Sequence, residues 1–223
     1  MRIAVDAMGS DKAPLPEVGG AVEAAAKNSD LEVILVGDEK ELKRILASYR
    51  NTGSISVVNA TEVIHMHDSP VMAVRQKKDS SLLVAIRLVK QGKADAVVSA
   101  GNTGAVMVGA RTILGPIRGV ARSAICQMLP TMKDPVLVLD LGANVDCTAR
   151  HLCDFAEMGT MYSRHVIGVD RPRVGLLNIG EEPVKGNELA KTVHRNLQAS
   201  DQINFVGNVE PKEVVRGEAD VVV

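Results

Sequence analysis

Lys185 is the only cation in the stretch Asn178-Ile179-Gly180-Glu181-Glu182-Pro183-Val184-Lys185-Gly186-Asn187. A lysine so placed can reach into a cleft as a point charge for phosphate, and the two acids before it can orient it. Loop lysines in general are solvated, so position alone leaves both roles open. The turn Gly101-Asn102-Thr103-Gly104 can bring bare backbone N–H groups close to an oxyanion, with the positive end of a following helix behind them. It equally fits a tight strand-to-helix turn in which Thr103 caps the helix. Asp140-Leu141-Gly142-Ala143-Asn144 offers an uncharged donor and acceptor at Asn144, ahead of Asp146, which could itself be a helix cap. Asp6-Ala7-Met8-Gly9-Ser10-Asp11 is a further Gly-containing exit. Arg75, Lys77 and Lys78 put three cations within four residues, a patch that would steer an acidic protein partner more than it would add affinity.

Other side chains point to weaker chemistry. Cys147, His151 and Cys153 fall near helical spacing, but a fourth metal ligand is missing and His151 and Cys153 face different directions on a helix. An acyl-enzyme through Cys147 is the covalent alternative. His65 and His67 read as surface residues. The sequence contains no G-x-G-x-x-G after a strand, no G-x-x-x-x-G-K-[ST], no G-x-S-x-G and no H-E-x-x-H. Their absence weighs against ordinary dinucleotide binding, NTP hydrolysis, serine hydrolysis and zinc proteolysis.

The four Gly/Asn-rich stretches each follow a run that reads as a strand, and in open parallel sheets ligands collect at such carboxyl ends. Strands are expected over 2–6, 32–37, 55–59, 95–99, 123–128, 136–141, 174–179 and 203–206, with a last one starting at Asp220. Apolar residues at spacings of three and four predict helices over 15–27, 39–47, 81–91, 103–114, 146–165 and 188–197. Ser80 or Asp79 is positioned to cap the third of these, and Gly92 to end it. The alternation predicts an α/β fold, an open, mostly parallel sheet with helices on both faces, carrying all four exits on one edge. A single α/β domain over 1–223 is expected, with 170–173 as the turn between subregions. The closing Ala219-Asp220-Val221-Val222-Val223 reads as a buried strand, and the expectation is that the chain is truncated there.

Composition narrows the function further. With 26 Lys+Arg against 27 Asp+Glu, the charge is balanced and shows no nucleic-acid footprint. Tyr49, Tyr162, Phe155 and Phe205 are the only aromatics, so base-stacking platforms are not available. Three unpaired-looking cysteines and a start at Met1 without a basic-then-apolar leader predict a reduced, cytoplasmic setting. The longest uncharged stretch, 96–110, is too short to span a bilayer.

The strings themselves resemble the bacterial phosphate acyltransferase family. The matches are Ala4-Val5-Asp6-Ala7-Met8-Gly9, Ser99-Ala100-Gly101-Asn102-Thr103-Gly104-Ala105, Val138-Leu139-Asp140-Leu141-Gly142-Ala143-Asn144 and Leu176-Leu177-Asn178-Ile179-Gly180-Glu181-Glu182 with Lys185-Gly186, in order and along the whole chain. Met72-x-x-x-Arg75-x-Lys77-Lys78-Asp79-Ser80-Ser81 and Gly217-x-x-Asp220-Val-Val-Val also resemble that family. The resemblance implies transfer of a fatty acyl group from acyl carrier protein to inorganic phosphate, giving acyl phosphate for phospholipid synthesis. It implies an isocitrate/isopropylmalate dehydrogenase-like fold and a cytoplasmic homodimer, peripherally membrane-associated in the complete chain. It also implies that the family continues after Val223 into a D-G-F-x-G-N motif. On this reading Asp6, Gly9, Gly101, Asn102, Thr103, Gly104 and Gly186 line the phosphate or substrate site. Lys185 and Asn144 handle charge at the reacting centre, and Arg75, Lys77 and Lys78 meet the acidic carrier. Phosphate is already a nucleophile and a thiol a good leaving group, so direct attack requires no metal, cofactor or covalent intermediate. Rival readings are acyl transfer from a coenzyme A thioester, an NAD-dependent dehydrogenase, and a non-catalytic scaffold for acyl carrier protein.

Overall fold

A computed structural model describes all residues from Met1 to Val223. The chain forms two compact units, Met1–Gly115 and Pro116–Val223, where the sequence predicts one α/β domain. The division falls at a Gly-Pro step, with Gly115 in the left-handed region (φ +86°), and not at the predicted 170–173 turn. Each unit has its own sheet, because each strand set closes its own apolar layers.

The first unit runs β1 (Arg2–Asp6), α1 (Leu15–Lys27), β2 (Glu32–Gly37), α2 (Glu39–Leu46), β3 (Ile55–Asn59), α3 (Pro70–Gln76), α4 (Ser81–Lys90), β4 (Ala96–Ser99) and α5 (Thr103–Ile113). Its sheet has the order β3-β2-β1-β4, and every pair is parallel. Alternation along the strands divides the core. Val33 and Leu35 face Val18, Val22, Leu42 and Ile45 of α1 and α2, while Ala4 and Val36 face Ala85 and Leu88 of α4. Helices therefore cover both faces. Register is strict, with Ala4 opposite Ile34 and Val97, since a one-residue slip would exchange the two apolar layers.

The second unit runs β5 (Cys126–Leu129), β6 (Val136–Leu139), α6 (Ala149–Tyr162), β7 (Arg173–Leu177), α7 (Glu188–Gln198), β8 (Asn204–Val209), α8 (Pro211–Arg216) and β9 (Val221–Val222). The strand order is β5-β6-β9-β7-β8, with β5 antiparallel to β6 and the other pairs parallel. The two-residue β9 sits at the sheet centre, bonded on both edges, which explains why the Val run 221–223 is fully apolar. Leu137, Leu139, Val174 and Leu176 pack with Phe155, Val193 and Leu197 on one face, and Val136, Val209 and Val222 pack with Val214 of α8 on the other.

Helix ends depart from the sequence reading where capping competes. Helix α6 starts at Ala149, not near Asp146, because Thr148 and His151 form a reciprocal capping box. It closes in a π-helical turn, Ser163–Ile167, ended by Gly168 (φ +89°). Ser80 takes the cap position of α4 without a side-chain bond, while Asp79 instead accepts from the Thr61 hydroxyl (2.6 Å) and amide (3.0 Å). Gly92 ends that segment at φ +66°, the left-handed geometry expected of it. Helices α3 and α8 were not expected. Each begins with Pro and is too short to show a 3.6-residue period.

Arg173 ties β7 to the turn that enters β9. Its amide (2.7 Å) and Nε (3.1 Å) donate to Asp220 Oδ2, and its guanidinium to Oδ1 (2.7 Å) and to the Gly217 carbonyl (3.2 Å). Burial pushes the Asp220 carboxyl up, but the Arg173 bonds outweigh it and hold the group below its usual range. A depressed folded pKa gives stability that is present above the unfolded value, near pH 3.9, and is lost as pH falls through the folded value. The urea midpoint of the wild type should therefore fall more on acidification below about pH 4 than that of Asp220→Asn. Parallel declines in the two proteins would contradict this role.

Candidate active site

In the first unit the exits of β1 and β4 lie against each other. Asp6 at the end of β1 is only 2% exposed. Its Oδ2 accepts from the Ser99 hydroxyl (2.7 Å), and the Ser99 oxygen in turn accepts from the Gly101 amide (3.1 Å). A weaker bond runs from the Met8 amide to Asp6 Oδ1 (3.4 Å). Bare glycines permit this approach: a Cβ on Gly101 would lie 3.1 Å from Gly9 Cα, and one on Gly9 would collide with the Asp6 carboxylate. The Gly9 and Gly101 backbones thus pack directly against each other, and the Asp6–Ser99 pair fixes their approach.

Asn102, not Thr103, caps α5, its Oδ1 accepting from the Ala105 amide (3.0 Å). The Nδ2 of the same amide donates to the carbonyls of His65 (3.3 Å), Met66 (3.1 Å) and Asp68 (3.0 Å). Both ends of Asn102 are thereby committed to holding the 65–68 loop against the start of α5. Thr103 is exposed at the first helical position, where first-turn amides face outward without intrahelical acceptors. Gly104 serves packing, since a Cβ there would lie 2.6 Å from Pro70 Cγ at the start of α3.

The expected carrier-binding cations are not equivalent. Lys77 Nζ turns inward, donating to the Val63 carbonyl (2.8 Å) and pairing with Asp68 (2.5 Å). It therefore grips the same loop as Asn102, and its hydrogen bond, with that of the His65 amide, holds the Asp68 carboxyl below the usual range. Lys78 Nζ, in the turn after α3, reaches back to the Val74 carbonyl near the end of that helix (3.2 Å). Arg75 is exposed, and Val71 and Met72 on the same short helix are exposed too. His65 and His67 are exposed, as expected.

In the second unit, Asp140 beyond β6 organises its loop. Its carboxylate accepts from the Ile125 amide (2.7 Å), the Asn144 amide (2.6 Å) and Asn144 Nδ2 (2.9 Å). Asn144 Nδ2 also donates to the Ser123 carbonyl (2.9 Å). The donor end of Asn144 is spent on structure, leaving Oδ1, which accepts weakly from Arg122 (3.5 Å). Arg122 is exposed beside this loop, a cation that sequence inspection passed over because no glycine-rich motif surrounds it.

Beyond β7, Asn178 holds the Lys185 turn. Its Nδ2 donates to the Lys185 carbonyl (3.2 Å) and its Oδ1 accepts from the Ile179 amide (2.8 Å). Gly186 adopts φ +85°, and a Cβ there would meet Asn178 Oδ1 at 2.7 Å, so only glycine fits. The Lys185 amide donates to the Glu182 carbonyl (3.0 Å). Its ammonium lies half-exposed, 3.9 Å from Glu182 Oε2, a loose pairing that leaves donors free. Glu181 is drawn elsewhere. It shares a hydrogen bond with Glu213, which holds its carboxyl above the usual range, and it lies 3.8 Å from Lys212. Beside Gly186 and Asn178 opens a cavity of about 600 Å³, walled by Leu176, Leu177, Ile179 and Leu189.

Cys147 and Cys153 sit where the thiolate is disfavoured. Burial, then the nearby Asp140 carboxylate, pushes the Cys147 thiol up, and burial does the same to Cys153. His151 is occupied in the α6 capping box. The exits of β1 and β4 belong to the sheet of the first unit and the Asn144 and Lys185 loops to that of the second, so the four exits do not share the edge of one sheet as the sequence predicts.

Comparison with known proteins follows the same lines. The sequence matches the family described as fatty acid synthesis protein over residues 1–223. It is 49% identical over 225 residues to a phosphate acyltransferase of Dictyoglomus turgidum, covering all of this chain and 67% of that one. A phosphate acyltransferase of Moorella thermoacetica is also 49% identical, with 65% of its length covered. The chain thus spans about two-thirds of the length of these relatives. Among solved structures, a phosphotransacetylase from Staphylococcus aureus superposes with TM-score 0.70 at 18% identity, covering all of this chain and 77% of that one. A 4-hydroxythreonine-4-phosphate dehydrogenase from Burkholderia phymatum gives 0.51 at 16%, covering all of this chain and 79% of that one, so the α/β architecture is shared with a dehydrogenase fold. With near-half identity along its entire length, this chain belongs to the phosphate acyltransferase family.

Proposed function

We propose that the protein transfers a fatty acyl group from acyl carrier protein to inorganic phosphate, supplying acyl phosphate for phospholipid synthesis. The observation that carries this reading is the 49% identity to named phosphate acyltransferases across every residue of the chain. The local chemistry supports it. In the first unit, the start of α5 after the Gly101-Asn102 turn leaves first-turn amides that suit an oxyanion. The half-exposed Lys185 ammonium supplies positive charge. The apolar cavity beside Gly186 suits an acyl chain.

In this mechanism a phosphate oxygen attacks the thioester carbonyl carbon. A C–O bond forms, the carbonyl oxygen takes the negative charge, and Lys185 stabilises that developing charge. The oxyanion then collapses, the C–S bond breaks, and the carrier's thiolate leaves and takes up a proton from solvent. Asn144, its donor end already committed, acts by holding the Asp140 loop rather than by touching the oxyanion. Arg75 and Lys78 are the exposed cations that suit an acidic carrier. Lys77 contributes by fixing the 63–68 loop. The complete protein is proposed to act as a cytoplasmic homodimer touching the membrane peripherally. The chain itself contains no helix long and apolar enough to cross a membrane.

Burial and the Asp140 carboxylate both disfavour the Cys147 thiolate, and this sequence of steps gives Cys147 no part. Cys147→Ala should keep turnover within about twofold of wild type, as expected of a side chain outside the reacting centre. A loss of several hundredfold would restore the acyl-enzyme route. The reading as a whole is tested by following loss of the acyl group from long-chain acyl carrier protein and from the matching coenzyme A thioester, each with and without phosphate. Phosphate-dependent loss from the carrier is expected. Exclusive use of the coenzyme A thioester would reassign the acyl donor, and carrier binding without acyl loss would favour a scaffold.

A further inference from the structure

His194 on α7 and Asn208 on β8 are two polar residues set in an otherwise apolar layer, 8% and 5% exposed respectively. The His194 ring packs edge-on against Phe205 with centroids 5.1 Å apart, and its Nδ1 lies 3.0 Å from Asn208 Oδ1. Asn208 Nδ2 donates to the Glu182 carbonyl (2.8 Å), which fixes the orientation of the amide and assigns the ring proton to Nδ1. That same Glu182 carbonyl accepts the Lys185 amide (3.0 Å), closing the turn on which Lys185 stands. A buried imidazole, a buried amide and one loop carbonyl thus form a continuous chain from the core to the Lys185 turn. Burying such groups is costly unless every bond is made, and a hydrophobic pair would pack this layer without the cost.

We propose that His194 and Asn208 are positioning residues, a buried hydrogen-bond chain that fixes the 182–185 turn and through it the Lys185 ammonium. The proposal rests on the acyl-transfer reading for its consequence in turnover, but its structural content is independent of that reading. Asn178 holds the far side of the turn through the Lys185 carbonyl and Asn208 the near side through the Glu182 carbonyl, so the two asparagines hold the 182–185 turn at both ends. Neither residue touches substrate in this account. Their effect is to remove the motion that would otherwise dilute the Lys185 charge at the reacting centre.

The test combines amide hydrogen exchange with a double-mutant cycle. Asn208→Leu should speed exchange at the Lys185 amide about tenfold or more, as loss of a buried anchoring bond implies, while leaving β7 amides unchanged. His194→Phe keeps the ring packing and removes only the donor, and should have the same effect if Asn208→Leu folds poorly. His194→Asn, which can place an N–H where Nδ1 was, should restore slow exchange. In turnover, Asn208→Leu should cost little once Lys185 is already alanine, because both changes act through one side chain. Unchanged exchange at Lys185 overturns the proposal whatever the turnover shows, and so do independent, multiplying effects of the two substitutions. If the wild type fails to transfer acyl groups to phosphate, the functional reading falls, and the exchange result alone decides the anchoring.

Discussion

Lys185→Ala should lower kcat/KM by about 10²–10³-fold, the cost of removing one donor aimed at a developing oxyanion, about 2.7–4 kcal/mol. The folding midpoint should stay near wild type. The ammonium is half-exposed and its one ion-pair contact, to Glu182 at 3.9 Å, is too long to add much stability. Lys185→Arg should recover only part of the rate. A planar fork does not occupy the position of a compact ammonium, and the turn that carries it is clamped by Asn178 and Asn208. A near-wild-type rate for the alanine variant would remove Lys185 from the mechanism.

Asn102→Ala should be among the most destabilising single changes in the first unit. It removes the α5 cap, worth about 0.5–2 kcal/mol, and leaves the His65, Met66 and Asp68 carbonyls without their shared donor. Asn102→Asp separates the two contributions. The carboxylate can still accept from Ala105, so the cap survives, but its second oxygen would face three carbonyl oxygens in place of an N–H₂. Urea unfolding should therefore rank wild type above both variants, with the aspartate no better than the alanine. An Asn102→Asp protein as stable as wild type would show that the three loop bonds contribute little.

These two residues mark what could and could not be read from sequence. Lys185 stood out because it is the only cation in its loop, and its charge can be recognised without knowing the fold. Asn102 stood out for its place in a Gly-Asn-Thr-Gly turn, but its role changed. Sequence spacing places it near an anion site, whereas only the fold brings residues 65–68, more than thirty positions away, onto its amide. The same holds for Lys77, which reads as part of a basic patch and turns inward to Asp68. Strand and helix positions were largely legible because alternation and 3.6-residue period survive in a chain built from Val, Ile, Leu and Ala. What escaped were α3 and α8, shorter than two helical periods, and the chain division at Gly115–Pro116, where one Gly-Pro step looks like any other turn. His194 escaped because a single histidine on an apolar helix face gives no sign of its partner. Asn208 lies fourteen residues further on, and Glu182 belongs to a separate loop.

The central claim is that phosphate itself attacks the thioester, and the most direct measurement follows its oxygen atoms. The complete protein is incubated with long-chain acyl carrier protein and phosphate carrying ¹⁸O at all four oxygens, and the product is identified by mass. Direct attack predicts acyl phosphate that retains all four labelled oxygens, formed as the carrier thiol is released. Release of unlabelled fatty acid at the same rate with or without phosphate would mean that water is the nucleophile, and would contradict the account.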